Sequence, residues 1–206
     1  HYDHLDYGSI KSLISKTKHF YLPLGVGAHF HEWGVPEEQI TEFNWWDEGN
    51  IGGIEIAFTP SRHFSGRGVT DQSATLWGSW VIKSSVSKLF FSGDSGYGPH
   101  FKEIGEKYGP FDFALMECGQ YNKRWAAIHM LPEETAKASQ EVGAKVMMPI
   151  HWGAFTLSLH QWDDPIKRVV PAAAKLNIPV VIPQIGEFVS VNEPSTEYKG
   201  WWEDLK

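Results

Sequence analysis

The 206 residues carry 18 Lys and Arg against 25 Asp and Glu, a formal charge of −7, and the basic residues form no run. That balance disfavours a nucleic-acid partner, and the length is one domain's worth, enough for a sizeable core. A single cysteine, Cys118, excludes an internal disulfide and leans towards a reducing compartment, and no apolar stretch is long enough to span a bilayer, so a cytoplasmic location is expected.

The opening His1-Tyr2-Asp3-His4 puts two imidazoles and a carboxylate on one tight loop, a density that reads as part of a metal site. No strand precedes that loop to hold it, so an upstream segment or a companion chain is expected. Ile10, Leu13 and Ile14 follow helical spacing, and Phe20–Leu24 reads as a short buried strand. Residues 25–33 predict a short helix. Its His29 and His31 lie two apart, cannot share a face, and are read as surface or supporting residues. Residues 51–58 alternate Ile54, Ile56 and Phe58 as one half-buried strand, with His63 just beyond its end.

Ser65-Gly66-Arg67-Gly68 is turn-forming; Arg67 is read either as an anion contact or as an exposed turn residue. Strands are predicted over 75–82 and 88–91, the second stopping at Ser92-Gly93-Asp94-Ser95-Gly96, where glycine lets the chain turn sharply beside a carboxylate. Pro99 opens a helix carrying Phe101, Ile104 and Tyr108, and residues 113–116 form the next buried strand. Pro132-Glu133-Glu134 starts a helix that Gly143 stops. A strand over 145–150 then leads to His151. Asp163-Asp164-Pro165 starts a third helix with one apolar stripe, strands are expected over 180–182 and 188–191, and Trp201-Trp202 suggests that the polar tail docks on a surface. The ten Trp read mostly as packing, with an aromatic-rimmed pocket or a lipid-facing surface as the alternative. Strands alternating with helices predict an α/β fold with helices outside one or two mixed sheets.

Candidate chemistry therefore gathers at strand ends: His1, Asp3 and His4, then His63, Asp94 and His151. Nitrogen and carboxylate ligands without thiolate suit a catalytic zinc, with manganese or iron as alternatives. Cys118 has no adjoining acid–base partner and reads as a small buried residue.

His1-x-Asp3-His4, followed in order by His63, Asp94 and His151, resembles the metal loop and later ligands of the metallo-β-lactamase superfamily. Arg62-His63-Phe64-Ser65-Gly66-Arg67-Gly68, Gly93-Asp94-Ser95-Gly96-Tyr97 and Ile150-His151-Trp152-Gly153-Ala154-Phe155 resemble the branch containing N-acylphosphatidylethanolamine-hydrolysing phospholipase D and its bacterial relatives. The resemblance implies an αββα sandwich, of which this chain would be about the C-terminal two-thirds. Residues 1–191 would form the hydrolase domain, its N-terminal part missing, and 192–206 a tail. It implies two divalent ions, His1 and His63 holding one, Asp3, His4 and His151 the other, and Asp94 bridging them. The family's first histidine, two positions before His1, is absent. His129 resembles a histidine near the family's active site, and is read either as a catalytic residue that supports the ligands or orients the substrate, or as a structural one. The implied activity is hydrolysis of a phosphodiester, in a phospholipid or another small molecule, by a hydroxide bridging the metals, with peripheral membrane contact. Lactone or ester hydrolysis, or metal binding without turnover, are the alternatives, since a fold does not choose its substrate.

Overall fold

In the computed structural model, which describes residues 1–2, 4–155, 157–196 and 200–205, two sheets and a layer of helices build one α/β unit. β1 (Phe20–Pro23) and β2 (Ile40–Phe43) pair in parallel. The main sheet is formed by β3 (Glu48–Ile51), β4 (Ile54–Thr59), β5 (Ser79–Lys83), β6 (Lys88–Phe91), β7 (Phe113–Glu117) and β8 (Met147–Ile150), in that spatial order. β3 to β6 are antiparallel neighbours, whereas β6, β7 and β8 are parallel. Since β4 and β6 both run opposite to β5, the strands β4, β6, β7 and β8 all point the same way. Their C-terminal ends open on one edge of the sheet, which is where an α/β sheet offers its loops to a ligand.

The strand period of two sorts side chains between the faces. Ala57, Val81, Phe90, Ala114 and Met116 meet a helical layer made by α3 (His100–Tyr108), α4 (Pro132–Glu141) and α5 (Asp164–Lys175), through Phe101, Ile104, Ala136, Ile166 and Val169 among others. Ile56 and Phe58 face the other way, against Phe43, Tyr21 and Trp80. A third cluster, Leu22, Phe30 and Val35, ties β1 to α1 (Tyr7–Leu13) and α2 (Gly27–Glu32). Asp6 caps α1 by accepting from Ser9 N at 2.6 Å. Pro132 opens α4, where the Glu134 carboxylate accepts from Leu131 N at 2.9 Å.

Several sequence expectations need correction. Residues 51–58 are not one strand: Gly52 and Gly53, both at positive φ, make a two-residue hairpin turn between β3 and β4, so Ile54 is exposed and only Ile56 and Phe58 point inward. The strand expected from residue 75 begins at Ser79, and Thr75–Gly78 is a loop. Residues 180–182 contribute a single parallel bridge, Val180 to Met147, and residues 188–191 form no strand; Phe188 is exposed. β2 escaped notice because its four residues carry too few alternations to stand out. The tail does dock: Trp202 is buried, and it and Trp201 lie against Trp152, with ring centroids 6.1 and 5.6 Å away.

Candidate metal centre

Each strand end at the open edge delivers one polar side chain. Four residues beyond β4 stands His63, three beyond β6 stands Asp94, β7 ends on Glu117, and His151 follows β8 directly. His1 and His4 lie beside them. Ring centroids lie 5.3 Å apart for His1 and His63, 5.3 Å for His4 and His151, 5.1 Å for His63 and His129, and 5.4 Å for His129 and His151. The structure therefore brings His1, His4, His63, Asp94, His129 and His151 to one place, while Asp3 lies outside the described residues.

Asp94 sits at the centre. Its Oδ2 is 2.8 Å from His4 Nε2 and 3.9 Å from His63 Nε2, and its Oδ1 is 3.7 Å from His151 Nε2. Burial alone would raise its pKa; the hydrogen bond from His4 and the charges of His151 and His63 outweigh that and hold the pKa down at about 2. It is thus a carboxylate wherever the protein is folded near neutrality, with two oxygens to divide between cations. Gly93, at φ +58, makes the turn that aims it, and a Cβ there would meet Gly78 O at 2.5 Å. His151 itself adopts φ +67, a left-handed backbone that costs a non-glycine residue energy and that clusters at functional sites.

His63 gives the test of fit. Its Nδ1 contacts Phe64 O at 2.9 Å, while its Nε2 is buried with no hydrogen-bond partner among the described residues, and burial lowers its pKa and favours the neutral ring. A buried lone pair 3.9 Å from a carboxylate oxygen, too far for a hydrogen bond, fits a cation held between them. Two sets of three ligand atoms lie within 4.8 Å of one another around Asp94: His4, Asp94 and His151, and His63, Asp94 and His129. These donors, all imidazole nitrogen and carboxylate oxygen, suit a divalent ion such as zinc.

The loops are fastened to each other. Arg62 N donates to Ser95 Oγ at 3.0 Å and Gly96 N to Arg62 O at 2.8 Å, so the His63 and Asp94 loops move as one. Arg67 donates to the carbonyls of His1 and Leu5, with Tyr2 and Trp33 rings 4.3 and 5.1 Å from its guanidinium carbon. It is a strap for the ligand loop and no loose turn residue. His29 lines the neighbouring pocket but joins neither set of ligand atoms, and Cys118 is fully buried, its thiol pushed well up by that burial and by Glu117.

Sequence reasoning missed Glu117. It is fully buried, 3.0 Å from His129 Nδ1 and 3.4 Å from His151 Nδ1, and accepts backbone N–H from Met130 and Gly119. The available signal was an acid at the end of the apolar run Phe113-Ala114-Leu115-Met116, because a charge placed inside a core requires partners.

Two contiguous cavities meet at the cluster. The smaller, about 210 Å³, lies between the imidazoles and Leu157; the larger, about 550 Å³, extends from His1, His63 and Asp94 between Leu22, Val26, Leu76, Trp77, Phe91 and Ile150. An apolar chamber thus ends on a group of side chains with metal-ligating chemistry.

The chain belongs to the metallo-β-lactamase superfamily: residues 1–152 match the Beta-lactamase superfamily domain. It is 38% identical over 206 residues to an uncharacterized protein of Mycobacterium tuberculosis, covering 98% of this chain and 55% of the relative. It is 30% identical over 192 residues to N-acyl-phosphatidylethanolamine-hydrolyzing phospholipase D 1 of Caenorhabditis elegans, covering 85% of this chain and 54% of that one. The chain thus spans about half the length of these curated relatives. In fold it is similar to Igni18, a metallo hydrolase from the archaeon Ignicoccus hospitalis, at TM-score 0.70 and 21% identity, with 91% of this chain and 74% of that chain covered. Both sheets and the helical layer described above are thereby those of the metallo-β-lactamase fold.

Proposed function

We propose that the protein is a dinuclear metal-dependent hydrolase that cleaves a phosphodiester, with a phospholipid as the substrate class. The observation that carries the reading is Asp94, a partly buried carboxylate whose two oxygens face different imidazoles, His4 and His63 on one side and His151 on the other. His1 and His63 would hold one ion, His4 and His151, with Asp3, the other, and Asp94 both. A bound pair of divalent ions supplies Lewis acidity at phosphorus and an acidified water.

The side chains do the rest. His129 lines the cavity with its Nδ1 held 3.0 Å from Glu117, which leaves Nε2 to take a proton from the attacking water and return it to the departing oxygen. Leu22, Leu76, Phe91 and Ile150 hold the apolar part of the substrate and exclude water beside the scissile bond. Arg67 keeps His1 and His4 in position through the carbonyls of their loop.

The rim supports a lipid over a soluble diester. Phe155, Leu157 and Leu159 are exposed on a loop that Gln120 pegs through Phe155 O at 2.8 Å, Leu157 N at 3.1 Å and Ser158 N at 2.9 Å. Lys123 and Arg124 line a hollow with Leu159 and have no ion-pair partner among the described residues, in a chain of net charge −7. Apolar side chains beside unpaired cations suit a phospholipid surface. Among the described residues no helix is long and apolar enough to cross a membrane.

Zinc-loaded full-length protein, offered phospholipid vesicles, a soluble phosphodiester and a lactone, is expected to turn over the vesicles fastest. Turnover of the lactone alone would replace this reading with ester hydrolysis. The double variant Phe155→Ser with Leu159→Ser is expected to lose about tenfold on vesicles, equivalent to ~1.4 kcal/mol of membrane contact, and nothing on the soluble diester.

A further inference from the structure

We infer that Glu117 positions two imidazoles at once, fixing the hydrogen of both His129 and His151 on Nδ1 and so turning both Nε2 atoms into the cavity. The inference rests on the hydrolase reading only for what His129 does with its Nε2; the placement of the hydrogens is independent of it.

Glu117 cannot turn away. Its backbone N–H donates to Ser92 Oγ at 2.8 Å and its carbonyl accepts from Thr135 Oγ1 at 2.9 Å, which ties the end of β7 to the end of β6 and to α4. Its carboxylate accepts from Met130 N at 3.1 Å on Oε2 and from Gly119 N at 3.2 Å on Oε1. Oε1 also faces His129 Nδ1 at 3.0 Å and His151 Nδ1 at 3.4 Å. A carboxylate only accepts, so each ring nitrogen turned to it has to be an N–H. In a neutral imidazole the hydrogen on Nδ1 leaves the lone pair on Nε2, the atom that can bind a cation or take a proton. For His151 that atom is 3.7 Å from Asp94 Oδ1, and the ligand atom of His129 shares the space around Asp94 and His63. One buried oxygen therefore sets the polarity of a metal-site ring and of the ring stacked 5.4 Å from it.

The test is a long-range ¹H–¹⁵N correlation spectrum of metal-free full-length protein carrying ¹⁵N-histidine, together with zinc affinity by chelator competition. In the wild type, His129 and His151 are expected to show protonated Nδ1 and lone-pair Nε2. Glu117→Gln keeps the size but sets its NH₂ either against Met130 N–H or against both rings, so the hold on the two Nδ1–H groups is weakened and zinc affinity is expected to fall about tenfold to a hundredfold. An Nε2–H form of either ring in the wild type overturns the inference, and so does a folded Glu117→Gln protein with wild-type zinc affinity. Should Glu117→Gln fail to fold, the wild-type spectrum alone decides. Neither readout involves turnover, so failure here is separable from failure of the phosphodiester reading.

Discussion

Replacing Asp94 by Asn is expected to lower phosphodiester turnover about a thousandfold, roughly 4 kcal/mol of transition-state stabilisation, while leaving the protein folded. The substitution keeps the shape and one acceptor oxygen, so the 2.8 Å hydrogen bond to His4 can persist. What it removes is the negative charge between His4, His63 and His151, the charge that those imidazoles hold ionised down to a pH of about 2. Cations placed there would lose their only shared anionic ligand among the described residues. Steady-state kinetics beside far-ultraviolet circular dichroism checks this: wild-type turnover in the folded variant would remove Asp94 from the mechanism. His19, which meets Thr41 Oγ1 at 2.8 Å and the Tyr21 ring at 4.7 Å, is the control site at which substitution should leave turnover unchanged.

Gly119→Ala is expected to damage stability and metal binding together. Gly119 follows β7 by two residues, and a Cβ built on it would run into the carbonyl oxygen of His151 and lie 3.3 Å from Trp152 Cα. The obstacle is backbone, which cannot swing aside as a long side chain does. The cost is that of overpacking, about 1–3 kcal/mol, and a shift of the His151 backbone carries its imidazole away from Asp94. Gly119 N also donates to Glu117 Oε1 at 3.2 Å, so movement there loosens the carboxylate facing His129 and His151. Thermal unfolding of the metal-free variant and its zinc affinity are the measurements. A midpoint and an affinity equal to those of the wild type would mean that the two loops are not in contact as described.

The parts of the site that the sequence exposes are those whose cause is local. Asp94 stands out because a short strand ending in the apolar Leu89-Phe90-Phe91 runs into Ser92-Gly93, and His151 because Met147–Ile150 runs straight into it. Strand ends are local features, and the common direction of β4, β6, β7 and β8 turns them into neighbours. Glu117 is the opposite case. Its ring partners stand 12 and 34 residues further along the chain, and nothing near it in sequence announces a pair of imidazoles. The resemblance to metal-loop proteins pointed to ligands and not to the group behind them. Local pattern also misjudged the edges of the fold. Residues 188–191 have strand composition, yet they have no neighbour to pair with among the described residues, and β-propensity without a partner makes no sheet. Trp202 was legible for the reverse reason, since an indole is too large to leave in water when a cluster such as that around Trp152 is within reach.

Whether two cations share Asp94 is read from a zinc titration of metal-free full-length protein, followed by calorimetry and by metal analysis after dialysis. Two zinc ions per chain are expected in the wild type and a deficit in Asp94→Asn, because the variant lacks the anionic oxygen that both ions would share. A wild-type protein that binds one zinc or none, or an Asp94→Asn protein that still holds two as tightly, would contradict such sharing.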